Sequence, residues 1–336
     1  MNKVWPFVVL GLSTANVTLA DAGDPQEGGA WLMKIAHASR HLNYSGTFVY
    51  RHGNKSETSS IVHYVNSGGG EFEKMEVLDG PAREVVRNND QLTCYLPKSK
   101  TVIIEQRDVR QLPVLLPERM PDILENYVVR KTGTDRVAGY DCNVITIEPK
   151  DHLRYGRSFC AEVHSGLPLR SRTINDEKQA VESFAFTQLS IGGKFNRDMV
   201  KSKYASKSHN WHIDRSALNV SEKTEDTGWV LNNQPPGFKK VTEVKRSIAG
   251  RPGTVSHIVF SDGLSAISVF IESMPKERPA QTMVHQGAIH IYTRTYAGHM
   301  VTVLGEAPAA TVMQIANSLE LRTHAPLPNN GSHPLK

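Results

Sequence analysis

Cysteine is scarce: three occur among 336 residues, too few for a disulfide-stapled scaffold or a multi-cysteine zinc fold. Long apolar runs are missing too, and no stretch approaches the ~20 residues of a membrane-spanning helix. Charge of one sign is absent: 39 Lys and Arg face 34 Asp and Glu, a net +5. That falls short of the dense basic face of a nucleic-acid binder. Neither half of the chain carries a one-signed field able to steer a charged partner from a distance. Catalytic signatures are lacking as well. There is no Gly-x-Ser-x-Gly elbow, no phosphate loop ending in Lys and no dinucleotide fingerprint. Carboxylates are plentiful, but no spacing singles out a catalytic pair. His37 and His41 stand at i, i+4, the spacing of a two-histidine metal site. No Glu follows the first and no third ligand suggests itself, so solvated imidazoles are the plainer reading. The chain reads as a non-enzyme with no metal and no cofactor.

What is present is enough to fold. Hydrophobic residues at 39% and charged residues at 22% allow a packed core, and 336 residues suggest two domains. The start has the form of a secretory leader. Lys3 precedes the apolar run Trp5–Leu12, and Ala20 and Ala22 follow at A-x-A spacing. Residues 1–22 are expected to be removed, leaving a protein of an oxidising exported space, most simply a periplasm.

Beyond the leader, Trp31, Ile35, Ala38 and Leu42 mark one face of a helix over Gly28–Leu42, with Gly46 a break after it. Short β-like runs follow, separated by turn residues: 47–51, 60–65, 72–78, 83–87, 92–96 and 101–106. Pro113, Pro117 and Pro121 interrupt this rhythm, a short helix is expected over Asp122–Val128, and strands resume at 137–148, 155–163, 169–174 and 181–189. The pattern predicts a large curved antiparallel sheet with one early helix. Residues 201–227 are polar and poor in core formers, and are read as a linker whose Trp211–Ile213 is a candidate to dock on a domain. From Trp229 a second, smaller unit follows, with strands at 241–248, 255–260, 264–271, 288–296 and 299–304. Ser261-Asp-Gly263 is a hairpin turn, and a helix starting at Pro308 carries Val312, Ile315, Ala316 and Leu319. The expected division is 1–22 leader, 23–200 N-terminal domain, 201–227 linker, 228–322 C-terminal domain and 323–336 flexible tail.

Two constellations stand out. Cys142 and Cys160 fall on consecutive expected strands, and a hairpin pairing them directly is centred on Asp151 within Glu148–His152. Directly opposed strand residues have Cα atoms about 4.5–5.5 Å apart, within disulfide reach. A disulfide is therefore expected, leaving Cys94 alone as a small buried hydrophobe. Secondly, Trp31 and Ile35 on the helix are placed to cover Phe48, Tyr50, Phe72, Phe184 and Phe186 on the sheet. The plain reading is a core; the functional one is an incompletely closed sheet whose concave face takes acyl chains beneath a helical cover. Arg83 and Arg87 are candidate anion or partner contacts, with a solvated strand edge as the plainer alternative.

Several segments resemble a known family in order along the chain. They are Leu42-Asn-Tyr-Ser-Gly-Thr-Phe-Val-Tyr-Arg51, Leu78-Asp-Gly-Pro-Ala-Arg-Glu-Val-Val86, Gly139-Tyr-Asp-Cys-Asn-Val-Ile-Thr-Ile-Glu-Pro149 with Arg154-Tyr-Gly156, Gly166–Ser171 and Phe184–Phe186. Pro236-Gly-Phe238 and Phe260–Glu272 continue the series in the second unit. Together they resemble the MucB/RseB family, periplasmic regulators of the sigma-E envelope-stress pathway. The resemblance implies an α+β, mainly antiparallel fold: a LolA-like half-open β-barrel with helix cover, plus a smaller C-terminal α/β domain. It implies binding to the periplasmic domain of an RseA/MucA-type anti-sigma factor, which shields that segment from regulated proteolysis. Release on binding a lipopolysaccharide or lipid ligand is implied too, as is a possible homodimer. No catalytic residue is carried over. The rival reading is a periplasmic lipoprotein or lipid carrier using the first domain alone, which leaves the second domain without a task. A hydrolase of envelope glycans is a second rival, and it would need a convergent polar cluster in a cleft.

Overall fold

A computed structural model describes residues 25–106, 120–215, 225–247, 253–274 and 280–322. The leader, the tail, Pro113, Pro117 and the middle of the expected linker lie outside these. Among the described residues no helix is long and apolar enough to cross a membrane.

The chain opens with helix α1 (Pro25–His41). Six strands follow: β1 (Tyr44–His52), β2 (Lys55–Val65), β3 (Glu71–Val77), β4 (Glu84–Asn88), β5 (Gln91–Leu96) and β6 (Thr101–Gln106). The short helix α2 (Met120–Asn126) leads into β7 (Tyr127–Val137), β8 (Tyr140–Pro149), β9 (Gly156–Glu162), β10 (Pro168–Ile174) and β11 (Ala180–Ile191). These strands and β12 (His212–Asp214) form one 12-stranded sheet in the order β12-β6-β5-β4-β3-β2-β1-β11-β10-β9-β8-β7. Two meanders thus meet where β1 pairs with β11, which places β1 mid-sheet although it comes first in the chain. β7 and β12 stand at opposite ends and do not pair, so the sheet stays open along that side.

Strand alternation sends every second side chain to one face. On the face covered by α1, Tyr127, Val129, Ile145, Ile147 and Phe159 pack with Leu32 and Ile35. The helix sits close to β7: a Cβ on Gly28 would lie 2.4 Å from the Val129 carbonyl oxygen. The buried stripe runs through Gly28, Leu32, Ile35, Ala38 and Ser39, one residue round from the expected face, leaving Trp31 half-buried.

Two expectations need correction. Gly46 does not break the helix, which ends at His41. It lies inside β1, where a Cβ would meet the Gln188 carbonyl oxygen at 2.3 Å, beside the register shift at Thr47/Phe48. The strand expected over 137–148 is β8, but an unexpected strand, β7, precedes it over 127–137 and takes the last two residues of the helix expected over Asp122–Val128. Lys131–Arg136 are exposed and polar, and they disguised an edge strand that carries a register shift at Lys131/Gly133. The first part of the expected linker docks on the large sheet, as the reading of Trp211–Ile213 anticipates. Tyr204 packs between Tyr95 and Trp211, and His212–Asp214 pair in parallel with β6. Its aromatic residues Tyr204 and Trp211 half-bury against the sheet, which offsets the polarity of their neighbours.

The second unit is a six-stranded antiparallel sheet in the order β14-β15-β16-β19-β18-β17. Its strands are β14 (Lys239–Ser247), β15 (Thr254–Ser261), β16 (Ala266–Ser273), β17 (Thr282–Gln286), β18 (Ile289–Tyr296) and β19 (His299–Gly305). Helix α3 (Ala309–Asn317), capped by Pro308, packs on it through Val312, Ile315 and Ala316. β13 (Trp229–Leu231) and β20 (Leu319–Leu321) close the unit as a two-stranded ribbon.

Candidate functional site

The α1-covered face of the large sheet holds most of the expected groove residues. Phe48 pairs with Phe186 and Tyr50 with Phe184 across β1 and β11. The Phe48 and Phe184 rings stand 4.7 Å apart, and Phe184 meets Phe186 edge-on at 5.0 Å. Ile35 is fully buried on this face, and the half-buried Trp31 ring carries the Lys34 ammonium 4.5 Å above it. The structure does not bring Phe72 to this group. Three residues from the inward Met75, Phe72 points to the opposite face, stacked on Tyr64 with Arg197 over it.

The two arginines part company. Arg83 is half-exposed and paired with Glu57 at 2.8 Å. Arg87 is not at a solvated edge, because β4 runs between β3 and β5. It pairs in register with Glu73 and is 7% exposed. Burial raises the Glu73 pKa, while His63 and Arg87 pull it down. His63 Nε2 stands 3.4 Å from Glu71 Oε1 and Nδ1 2.7 Å from the Leu42 carbonyl oxygen. One end of the concave wall is therefore a buried charged cluster.

The disulfide joins Cys142 and Cys160, with Cα atoms 5.3 Å apart. The register differs from the expected one. Cys142 lies opposite Glu162 and Cys160 opposite Val144, so the bridge runs diagonally between β8 and β9. The loop from Lys150 to Tyr155 displaces the hairpin centre from Asp151 by one residue. That loop has another task.

Arg154, in this loop, is fully buried. Its Nη1 donates to Asp262 Oδ2 at 3.0 Å, Nε to Asp151 Oδ1 at 3.0 Å and Nη2 to the Pro236 carbonyl oxygen at 2.6 Å. Its guanidinium lies 5.6 Å from the Tyr127 ring centre and 5.1 Å from that of Phe238. Tyr127 Oη donates to the same Asp262 oxygen at 2.7 Å. Asp262 Oδ1 accepts the amides of Leu264 and Ser265, fixing the β15–β16 turn that the sequence signals. Burial, then Asp262, pushes the Tyr127 pKa well up, so the phenol stays a proton donor. Leu264 joins the apolar cluster under α1. Gly237, at φ +80, abuts Asn126, where a Cβ would lie 2.2 Å from Oδ1. Thr311 Oγ1 donates to the Leu153 carbonyl oxygen at 2.8 Å. Two turns and the start of α3 thus grip one loop of the large sheet.

Beside this dry junction runs a wetter one. Arg157, Thr173, Glu182 and His52 form one row across β9, β10, β11 and β1. Arg157 pairs with Glu306 of the smaller unit, and Tyr50 Oη donates to Glu182. His52 Nδ1 meets Gln286 Nε2 at 3.4 Å. Burial, then the Glu306 charge, raises the Glu182 pKa; burial, then the Glu182 hydrogen bond, raises that of Tyr50.

This arrangement can fix one unit against the other; it has no nucleophile–base–orienter chain. His37 and His41 stack at 4.3 Å on an exposed helix face, and among the described residues no group of three or more His, Cys, Asp or Glu is placed to hold a metal ion. Sequence reasoning quoted Arg154, Pro236 and Asp262 as motif residues but gave none a role. The turn signal at Ser261–Gly263 was the only local clue.

The MucB/RseB N-terminal domain family matches residues 27–204 and the MucB/RseB C-terminal domain family residues 223–320. Sigma factor AlgU regulatory protein MucB of Pseudomonas aeruginosa is 31% identical over 305 residues, covering 89% of this chain and 91% of MucB. Sigma-E factor regulatory protein RseB of Haemophilus influenzae is 23% identical over 94% of this chain and 98% of its own. A solved structure of MucB in complex with MucA(peri) superposes with a TM-score of 0.70 at 27% identity, covering 88% of this chain and 99% of that one.

Proposed function

The chain belongs to the MucB/RseB family, and on that premise we propose that it is a periplasmic negative regulator of a sigma-E-type envelope-stress response. It binds the periplasmic segment of an anti-sigma factor of the RseA/MucA type and shields that segment from regulated proteolysis. It lets go when a lipid or lipopolysaccharide signal binds. Residues 23–200 and 228–322 act as its two domains, joined by 201–227. The observation that carries this reading is the match of both family domains along the chain, in the two-unit architecture of MucB in complex with MucA(peri).

The geometry supports the role. A ligand shifts a two-state equilibrium only through a difference in affinity between the states. A dry junction beside a partly exposed one allows two relative orientations of the domains. The concave face with Trp31, Ile35, Phe48, Tyr50, Phe184 and Phe186 is the place for acyl chains, which must part rings now in contact. Phe72, on the other face, leaves the set. A carrier built on the first domain alone has no use for the contacts at Arg154.

The test is capture and release. Mature protein on beads is offered the periplasmic segment of a MucA-type anti-sigma protein and a periplasmic protease that cleaves it. Retention and protection are expected, and added lipopolysaccharide should free the segment. No retention overturns the reading, whereas retention without release removes only the lipid signal.

A further inference from the structure

We infer that the two domains form a clamp that pivots on Arg154 and opens along the rim where Arg157 meets Glu306, and that the closed rim is what holds the bound segment. The inference rests on the function proposed above and names how that site is regulated.

The two parts of the interface are built differently. At the pivot, Arg154 and Asp262 have 0% side-chain exposure, and each has partners on both domains. Leu264 anchors the same turn in the apolar cluster under α1. Parting these groups strands a buried charge. At the rim, Arg157 and Glu306 are 13% and 27% exposed. His52 and Gln286 touch across an exposed contact. Water reaches both of these contacts, so parting them costs less than stranding the fully buried charges at the pivot. Glu182 and Glu306 repel each other across the rim, with Arg157 the cation between them and His52 and Tyr50 alongside. Three strand spacings separate β9 from β1, so His52 lies roughly 14 Å beyond Arg157 along the row. A small rotation at Arg154 therefore becomes a large gap at His52. The row sits on the concave side of the sheet, so a ligand filling that side lifts Gln286 and Glu306 first.

The experiment uses the mature chain with Cys94→Ser and two spin-label pairs. Leu78→Cys with Val284→Cys reports on the rim, and Leu124→Cys with Val241→Cys on the pivot; these positions are 53%, 55%, 38% and 59% exposed. Glu306→Gln is expected to lengthen and broaden the rim distance while the pivot distance keeps its wild-type distribution. A staple, His52→Cys with Gly287→Cys, is then added and oxidised before labelling. A Cβ on Gly287 would lie 3.0 Å from that of His52, and φ +58 is a left-handed conformation cysteine can adopt. The staple should return the rim distance to its wild-type distribution. An unchanged rim, or equal lengthening at both pairs, overturns the clamp. Should the stapled chain not fold, the two label pairs in Glu306→Gln decide alone.

Binding of the MucA-type periplasmic segment is read on unlabelled protein. Glu306→Gln should weaken it at least fivefold, and the oxidised staple should recover it to within twofold. If the distances behave but the staple does not recover binding, the rim does not hold the segment. If the unsubstituted chain captures nothing while both distances behave, the clamp stands and the proposed function falls.

Discussion

Arg154 Nη1 and Asp262 Oδ2 meet at 3.0 Å with neither side chain exposed, although 108 residues separate them. One carboxylate does two things: Oδ1 holds a local turn and Oδ2 receives a cation and a phenol from the other domain. Local folding of the second domain and its docking on the first are therefore linked through one residue. Asp262→Asn keeps the shape and removes the charge, leaving Arg154 only the partly exposed Asp151 as a counter-ion. Breaking one partner of a buried pair costs about 3–5 kcal/mol. Urea unfolding of the variant should show a loss of that size, with one transition splitting into two as the domains uncouple. Arg154→Met with Asp262→Asn should lose less than the sum of the single changes, because no charge is then left unpaired.

Gly28 offers a test by sign. In an exposed helix interior, Gly→Ala stabilises by roughly 0.5–1 kcal/mol. Here the added Cβ would lie 2.4 Å from the Val129 carbonyl oxygen, so α1 must lift from β7. Gly28→Ala should lower the melting temperature, with a loss of about 1–3 kcal/mol from overpacking. A stabilised variant would show that the helix is not seated as described.

Most strands were legible because alternation and turn residues are local signals. β1 to β6 and β8 to β11 lie within a few residues of where the pattern places them. β7 was hidden because an edge strand needs no apolar face along its exposed half, and Lys131–Arg136 read as loop. Phe72 was assigned to the wrong face because aromatic character does not reveal parity, and one residue of register inverts a strand. Cys142 and Cys160 were paired correctly, but direct opposition was wrong, since the Arg154 loop shifts the register. The junction was visible only as resemblance. Nothing local in Arg154-Tyr-Gly156 or Pro236-Gly-Phe238 says that they touch, and a contact across two domains leaves no periodicity to read.

The disulfide closes a loop of 18 residues between adjacent strands. Loop-closure entropy for that length amounts to about 3 kcal/mol. Cys142→Ser with Cys160→Ser should lower stability by that order in urea, and wild-type protein under strong reductant should match the variant. Equal midpoints in oxidised and reduced wild-type protein would show that the bridge contributes nothing in solution.

Glu182 sets a pH dependence whose sign follows from its surroundings. Burial and the Glu306 charge raise its pKa in the folded state. Its contribution is therefore fully present below the unfolded Glu pKa, about 4.3, and is lost as pH rises through the raised value. Glu182→Gln can still accept the Tyr50 hydrogen bond but has no proton to lose. Carboxyls held low elsewhere, such as Asp135 beside Arg170, titrate alike in both proteins and cancel in the comparison. The variant should thus gain stability relative to wild type between about pH 4 and about pH 8, with the difference vanishing at the acid end. Urea midpoints at the two pH values measure this directly. A variant that is less stable than wild type at pH 8 would mean that the Glu182 charge supports the rim through Arg157 more than it repels Glu306.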